Sequence, residues 1–179
     1  MMLRGNYNSS ILEDAVDQLS SLPGVGRRTA LRLALHLLGQ PAENVARFSS
    51  AVGRLKTDLK FCPECNMVSD DGLCPICSDS RRDHGIICVV ESLRDVFSIE
   101  NTGQYNGLYH ILGGIISPMD GIGPGDLPIG RLVERISAGG VREVVLALST
   151  SMEGETTSFY ICRCLDGLPV EITAIARGV

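Results

Sequence analysis

The chain has no tryptophan, and its 179 residues include only four phenylalanines and four tyrosines. Aromatic platforms on which single-stranded bases stack are therefore scarce. Lysine is nearly absent: of sixteen basic residues only Lys56 and Lys60 are lysine, and the rest are arginine, whose planar fork suits phosphate or carboxylate. The net charge is −5, which excludes a protein that coats nucleic acid over its whole surface and confines any such binding to a local patch. No run of about 18 apolar residues exists, so no membrane-spanning helix is expected. The stretch Met1–Tyr7 lacks the apolar core of a signal peptide, and the Asn8-Ser9-Ser10 sequon is then incidental. There is no P-loop, which removes the simplest nucleotide-hydrolysis reading. Gly121-Ile-Gly123-Pro-Gly125 neither follows a strand nor opens a long helix, so it is not a dinucleotide loop. No internal repeat or low-complexity segment is present.

What the chain does have is Cys62-Pro-Glu-Cys65 and Cys74-Pro-Ile-Cys77, two C-x-x-C pairs with eight residues between them. A C-x-x-C turn aims two thiolates at one centre, and two such turns supply the four soft ligands of a tetrahedral Zn²⁺. A redox C-x-x-C needs no second pair, and disulfides need an oxidising compartment. Four protein ligands leave no position for water, so the expected metal is structural. An odd total of seven cysteines fits a reducing cytoplasm. Cys88, Cys162 and Cys164 lie among apolar residues and read as small core side chains. His84 and His110 have no evident nucleophile or metal partner, and His36 reads as a packing residue.

The segment before the cysteines is helical in pattern. Ser10 with Glu13 reads as a capping box opening a first helix, with Ile11, Leu12, Ala15, Val16 and Leu19 apolar at helical spacing. A second helix runs from Arg27 to Leu38, with Ala30, Leu31, Ala34, Leu35 and Leu38 on its inner side, and stops at Gly39. Pro41 opens a third, in which Val45, Phe48, Val52, Leu55 and Leu59 recur every three or four residues. After the cysteines and a polar linker at Ser78–His84, helices and strands alternate: strands are expected at Ile86–Glu91, Tyr105–Leu112, Val141–Leu148 and Val170–Ala176. Helices are expected at Ser92–Glu100, at Leu132–Ser137 and around Phe159–Leu165, with a long Gly/Pro loop at Gly113–Gly130. The run Ile86–Val90 reads as a buried parallel strand that closes on Glu91 at its carboxyl edge, where ligand sites of open α/β sheets gather.

The turn Leu22-Pro-Gly24-Val-Gly26 between the first two helices resembles the helix-hairpin-helix DNA-binding motif. Its glycines permit positive φ and leave backbone N–H groups bare for close approach, and with the start of the second helix these form an anion site suited to a DNA phosphate. Arg28 and Arg32 lie four apart and are placed to grip neighbouring phosphates. Arg27 adds a cation where the helix dipole resists it, a cost that a phosphate would offset. The alternative is an ordinary αα-corner with a solvated arginine face.

Val89-Val90-Glu91, and the strand followed by Glu153-Gly154-Glu155, resemble the two acidic motifs of a Toprim domain. Aligned on Glu153-Gly-Glu155, the positions of the two metal-holding aspartates carry Ser149 and Ser151. Neutral hydroxyls there make Mg²⁺-dependent phosphoryl transfer unexpected. The full order of motifs resembles the bacterial RecR family of recombination mediators. The resemblance is carried by Leu22–His36, the four cysteines, Ile87–Glu91, Tyr109–Gly114, Ser117–Pro124 and Glu153–Glu155. It departs in Ser149-Thr150-Ser151, where the family usually has Asn-Pro-Thr, and at the end, where family chains continue past Ala-Arg-Gly while this one stops at Val179. A missing terminal segment would expose apolar surface and weaken a ring interface.

The resemblance implies an α+β multi-part chain: a helix-hairpin-helix bundle at 1–60, a four-cysteine zinc finger at 61–78 and a Toprim-like α/β domain with a mostly parallel sheet at 79–179. It implies a cytoplasmic, nucleoid-associated, non-enzymatic mediator. Such a protein binds DNA independently of sequence and acts with RecO or RecF in loading RecA onto single strands. It forms homodimers or ring tetramers. DNA contact falls on Gly24, Gly26, Arg27, Arg28 and Arg32; RecO contact falls on Glu91 and Glu153, with Glu155; one structural Zn²⁺ falls on Cys62, Cys65, Cys74 and Cys77. The alternatives are a Mg²⁺-dependent Toprim nuclease or primase, and a pure protein-interaction adaptor.

Overall fold

A computed structural model describes residues 9–176; the Met1–Tyr7 stretch, the asparagine of the sequon and the last three residues lie outside it. The chain divides into two compact units, Met1–Thr57 and Asp58–Val179.

The first unit is three helices: α1 (Ser10–Ser20), α2 (Arg27–Leu38) and α3 (Ala42–Thr57). The cap of α1 is Ser9, one residue earlier than the capping box placed it. Its Oγ accepts from the Leu12 N–H at 3.3 Å. Glu13 is thereby free to reach Arg27. The core is small, built from Val16, Ala30 and Ala34 with Leu12, Leu19, Val25 and Leu31 packed around it. Two alanines one turn apart let the helix backbones approach closely. The expected inner side of α2 is therefore narrower than the pattern: Leu35 and Leu38 are exposed, as is His36. The apolar stripe of α3 is not buried either, since Phe48, Val52 and Leu55 are all exposed. Periodicity reports that one face is apolar, not that this chain covers it.

The second unit holds the cysteine segment and the sheet. Strands β1 (Lys60–Phe61) and β2 (Val68–Ser69) form a two-stranded antiparallel ribbon, followed by the single-turn α4 (Pro75–Ser78). Then come β3 (Asp83–Val90), α5 (Leu93–Glu100), β4 (Gly107–Ile111), α6 (Ile129–Ser137), β5 (Glu143–Ala147), α7 (Met152–Cys164) and β6 (Glu171–Ala174). The expected linker is shorter than its polarity indicated, because Asp83 and His84 already belong to β3. The long loop shortens likewise, because α6 starts three residues before Leu132. All four strands are parallel, in the order β4-β3-β5-β6. The central strand β3 is buried on both faces. Ile87 and Val89 pack with Leu132 and Ile136 of α6 and Ile161 of α7. Cys88 and Val90 pack with Val96 of α5, Tyr109, Ile111 and the four metal-site cysteines. An unbroken apolar run is what such a strand requires.

At the start of α5 the Ser92 N–H and hydroxyl both donate to the Asp95 carboxylate at 2.8 Å, which ties the first turn to its cap. Its far end is clamped by Arg82, which bonds Glu100 and the Gly107 carbonyl, while the Tyr109 hydroxyl donates to Glu100 at 2.7 Å. The Arg82 guanidinium holds the Glu100 carboxyl below its ordinary range. Among the described residues no helix is long and apolar enough to cross a membrane.

Candidate metal centre, nucleic-acid face and acidic face

The four cysteines Cys62, Cys65, Cys74 and Cys77 are all buried, and their sulfurs lie within 4.8 Å of one another. A tetrahedron with Zn–S bonds of about 2.3 Å keeps its sulfurs about 3.8 Å apart, so the donor set fits a closed Zn²⁺ site. Among the described residues this is the one such grouping of His, Cys, Asp or Glu. Without a cation, four buried thiols cannot all ionise. The Cys77 sulfur pulls the Cys65 proton into a hydrogen bond and drives Cys65 up; the same bond, with Arg135 nearby, brings Cys77 down to about 6. A divalent cation removes that conflict by taking all four as thiolates.

The knuckle is shaped by its own backbone. The Asn66 N–H donates to the Cys62 carbonyl at 3.0 Å, and the Cys62 N–H donates to the Met67 carbonyl at 2.7 Å. Closing this turn puts Asn66 at φ +64°, a left-handed position that Asn tolerates better than most residues. The Asn66 amide then donates to the Ile111 carbonyl at 3.0 Å, and the Ile111 N–H donates to the Cys65 carbonyl at 2.9 Å. From α6, Arg135 donates to the Glu64 and Tyr109 carbonyls and Arg131 to the Pro63 carbonyl. His110, between them, is a core residue: its Nε2–H donates to the Pro128 carbonyl, and burial lowers its pKa to about 4. The cysteine segment is thus built into the sheet unit as part of its core. Sequence reasoning missed Asn66, Arg131 and Arg135. An Asn directly after a C-x-x-C is a readable sign of a left-handed turn, but nothing in the pattern ties Arg135 to Glu64.

The turn between α1 and α2 places Gly24 at φ +80°, as a glycine-dependent turn requires. Gly26 differs: its φ of −75° is open to any residue. It is the N-cap of α2 and has no side chain to accept from the first-turn N–H groups. A β-carbon at Gly26 would meet nothing within 4 Å, so the position is bare rather than crowded. Arg28 and Arg32 are exposed on one side of α2 and line a shallow concavity of about 580 Å³ with Thr29, Leu31 and Leu35. Arg27 points elsewhere, pairing with Asp17 at 2.6 Å and Glu13 at 3.8 Å. The unfavourable cation at the helix start is therefore offset within the chain, by carboxylates of α1.

At the carboxyl edge of the sheet, β3 and β5 end side by side, which brings Glu91 to Ser149. The Glu91 carboxylate accepts from the Ser149 N–H. The Ser149 and Ser151 hydroxyls lie 3.0 Å apart, and Ser151 caps α7 by accepting from the Gly154 N–H at 3.0 Å. Glu153 and Glu155 stand exposed in the first turn of α7, where the helix dipole favours carboxylates. A β-carbon on Gly154 would lie 2.3 Å from the Ser149 carbonyl oxygen, so the glycine is what lets the helix start this close to the strand end. Gly154→Ala is expected to cost about 1–3 kcal/mol through the forced shift of that turn. Urea unfolding would read this as a lower midpoint at unchanged slope; an unchanged midpoint would mean the turn relaxes freely.

Three family descriptions match along the chain. Residues 12–55 match the helix-hairpin-helix of RecR, residues 59–79 its four-cysteine zinc finger domain, and residues 85–176 the Toprim domain. Among curated relatives, the recombination protein RecR of Porphyromonas gingivalis is 56% identical over 173 residues, covering 97% of this chain and 84% of the relative. The RecR of Phocaeicola vulgatus is 57% identical with the same coverage. The more distant RecR of Amoebophilus asiaticus is 47% identical over 97% of this chain and 86% of its own length.

Proposed function

Because the chain belongs to the RecR family of recombination proteins, we propose that it serves recombination repair as a mediator without enzymatic activity of its own. It grips DNA through Gly24, Gly26, Arg28 and Arg32, and it engages RecO- or RecF-type proteins through Glu91, Glu153 and Glu155. Its task in that reading is to help load RecA onto single-stranded DNA. The observation that carries the DNA part is the pairing of two exposed arginines, one turn apart, with an uncapped helix start opened by Gly26. Backbone N–H groups and guanidinium forks at that spacing suit consecutive phosphates and read no bases.

The non-enzymatic part is supported by the donor geometry at the sheet edge. Ser149 and Ser151 are spent on each other and on the start of α7, and the Glu91 carboxylate is turned onto a backbone amide. Two positions at that edge carry hydroxyls in place of the carboxylates that a Mg²⁺ clamp draws on, which supports the reading. Assembly into homodimers or ring tetramers is supported by the large apolar side chains that α2 and α3 leave exposed.

A gel-shift series across salt concentration tests the DNA reading. Unrelated sequences should bind equally, and log affinity should fall against log salt with a slope of about −2 per chain, one unit for each arginine on a phosphate. Binding that is insensitive to salt, or that discriminates between sequences, would sink it. Mg²⁺-dependent cleavage that disappears in Glu153→Ala would restore the enzyme alternative.

A further inference from the structure

None of the four phenylalanines is in a core: Phe48, Phe61, Phe97 and Phe159 are all half exposed or more. Phenylalanine is ordinarily among the most buried residues, so large apolar groups held outside need a reason. The sharpest case is α7. Its inward side is made of Gly154, Thr157 and Ile161. Its outward side carries Met152, 82% exposed, and Phe159, 66% exposed, seven residues and two turns apart on one line. Ile161 is thus the one large apolar side chain among the buried residues of α7, while Met152 and Phe159 face outward. Helical spacing puts Glu155 on one flank of that line and Glu153 on the other, with half-exposed Tyr160 one turn-pair beyond Glu153.

We propose that the outward face of α7 is a protein-docking surface, with Met152 and Phe159 as apolar anchors and Glu153 and Glu155 as the charged rim. This rests on the acidic-face reading above and extends it to the groups that would supply most of the affinity. The fitting partner presents an apolar pocket rimmed by lysine or arginine. Nucleic acid does not fit, because two carboxylates repel phosphate. A second copy fits poorly: two such faces would join four carboxylates, with only Arg163 from each helix to oppose them. Aromatic and methionine side chains in the centre with charges around them are the usual anatomy of a protein interface.

The test is calorimetric titration of a purified RecO-type protein onto the full chain, with Phe159→Ala and, separately, Glu153→Gln with Glu155→Gln. Phe159 is largely solvent-exposed, so its alanine variant should keep the wild-type circular dichroism spectrum. Phe159→Ala is expected to weaken binding about 30-fold with unchanged salt dependence. The glutamine pair should weaken binding and flatten the salt dependence. Loss in the glutamine pair with less than about a twofold effect of Phe159→Ala would overturn the docking inference and leave the acidic reading standing. No loss in the glutamine pair would overturn the acidic reading itself, and this proposal with it. A smaller sedimentation coefficient for Phe159→Ala alone in solution would assign the face to a second copy and overturn the proposal.

Discussion

Replacing Arg28 and Arg32 together by glutamate should abolish retention of DNA in a gel-shift while leaving the fold intact. Each charge-assisted bond to a phosphate contributes about 1.5–3 kcal/mol, so losing two lowers affinity by a factor of about 10² to 10⁴ before the new repulsion is counted. Both side chains are exposed and face a shallow concavity, so their replacement removes no core contact. Arg27→Ala is the informative contrast. That side chain is bonded to Asp17 and Glu13, so its loss should loosen the α1–α2 hairpin more than it weakens DNA contact. In the same assay Gly26→Ala separates backbone approach from turn geometry. The new methyl meets nothing in the free protein, and its φ is ordinary, so stability should hold while a phosphate seeking the helix start is pushed away. Full DNA retention by the double glutamate variant would remove this face from nucleic-acid binding altogether.

Removing the zinc should collapse the whole Asp58–Val179 unit and not only its ribbon. Binding of a structural Zn²⁺ at neutral pH is worth about 10–16 kcal/mol, against a total stability of about 5–15 kcal/mol for an ordinary domain. The cysteines share one core with Val90, Val96, Tyr109 and Ile111, and the Ile111 amide bonds the Cys65 carbonyl. A strong chelator should therefore release one Zn²⁺ per chain and abolish the cooperative unfolding transition of the sheet. Cys65→Ser should reproduce that state. A metal-free sample with an unchanged melting curve would show that the core holds without its cation and would refute this coupling.

Several features could be read directly because they depend on a few neighbouring residues. Two C-x-x-C pairs specify a metal knuckle by spacing alone. Gly24 in a tight turn and an unbroken apolar run ending at Glu91 are likewise local statements. The structure places each where the pattern put it. The Ser10 cap was off by one because Ser9 and Ser10 are both good caps, and only the observed helix start distinguishes them. The inner faces of α2 and α3 were read too wide, because apolar periodicity marks a face without marking what covers it.

The amino-acid sequence by itself thus determined the ligand set, the glycine turn and the arginine pair. Each is set by residue type and spacing within a few turns of backbone. Only the tertiary structure decided that the cysteine segment is core to the sheet unit, that Arg27 is drawn to α1, that Glu91 closes on the Ser149 amide, and that Phe159 faces outward. Each of those joins residues remote in the chain or depends on which side of a helix meets the sheet. Such contacts are settled by the packing of whole elements, which no local pattern encodes.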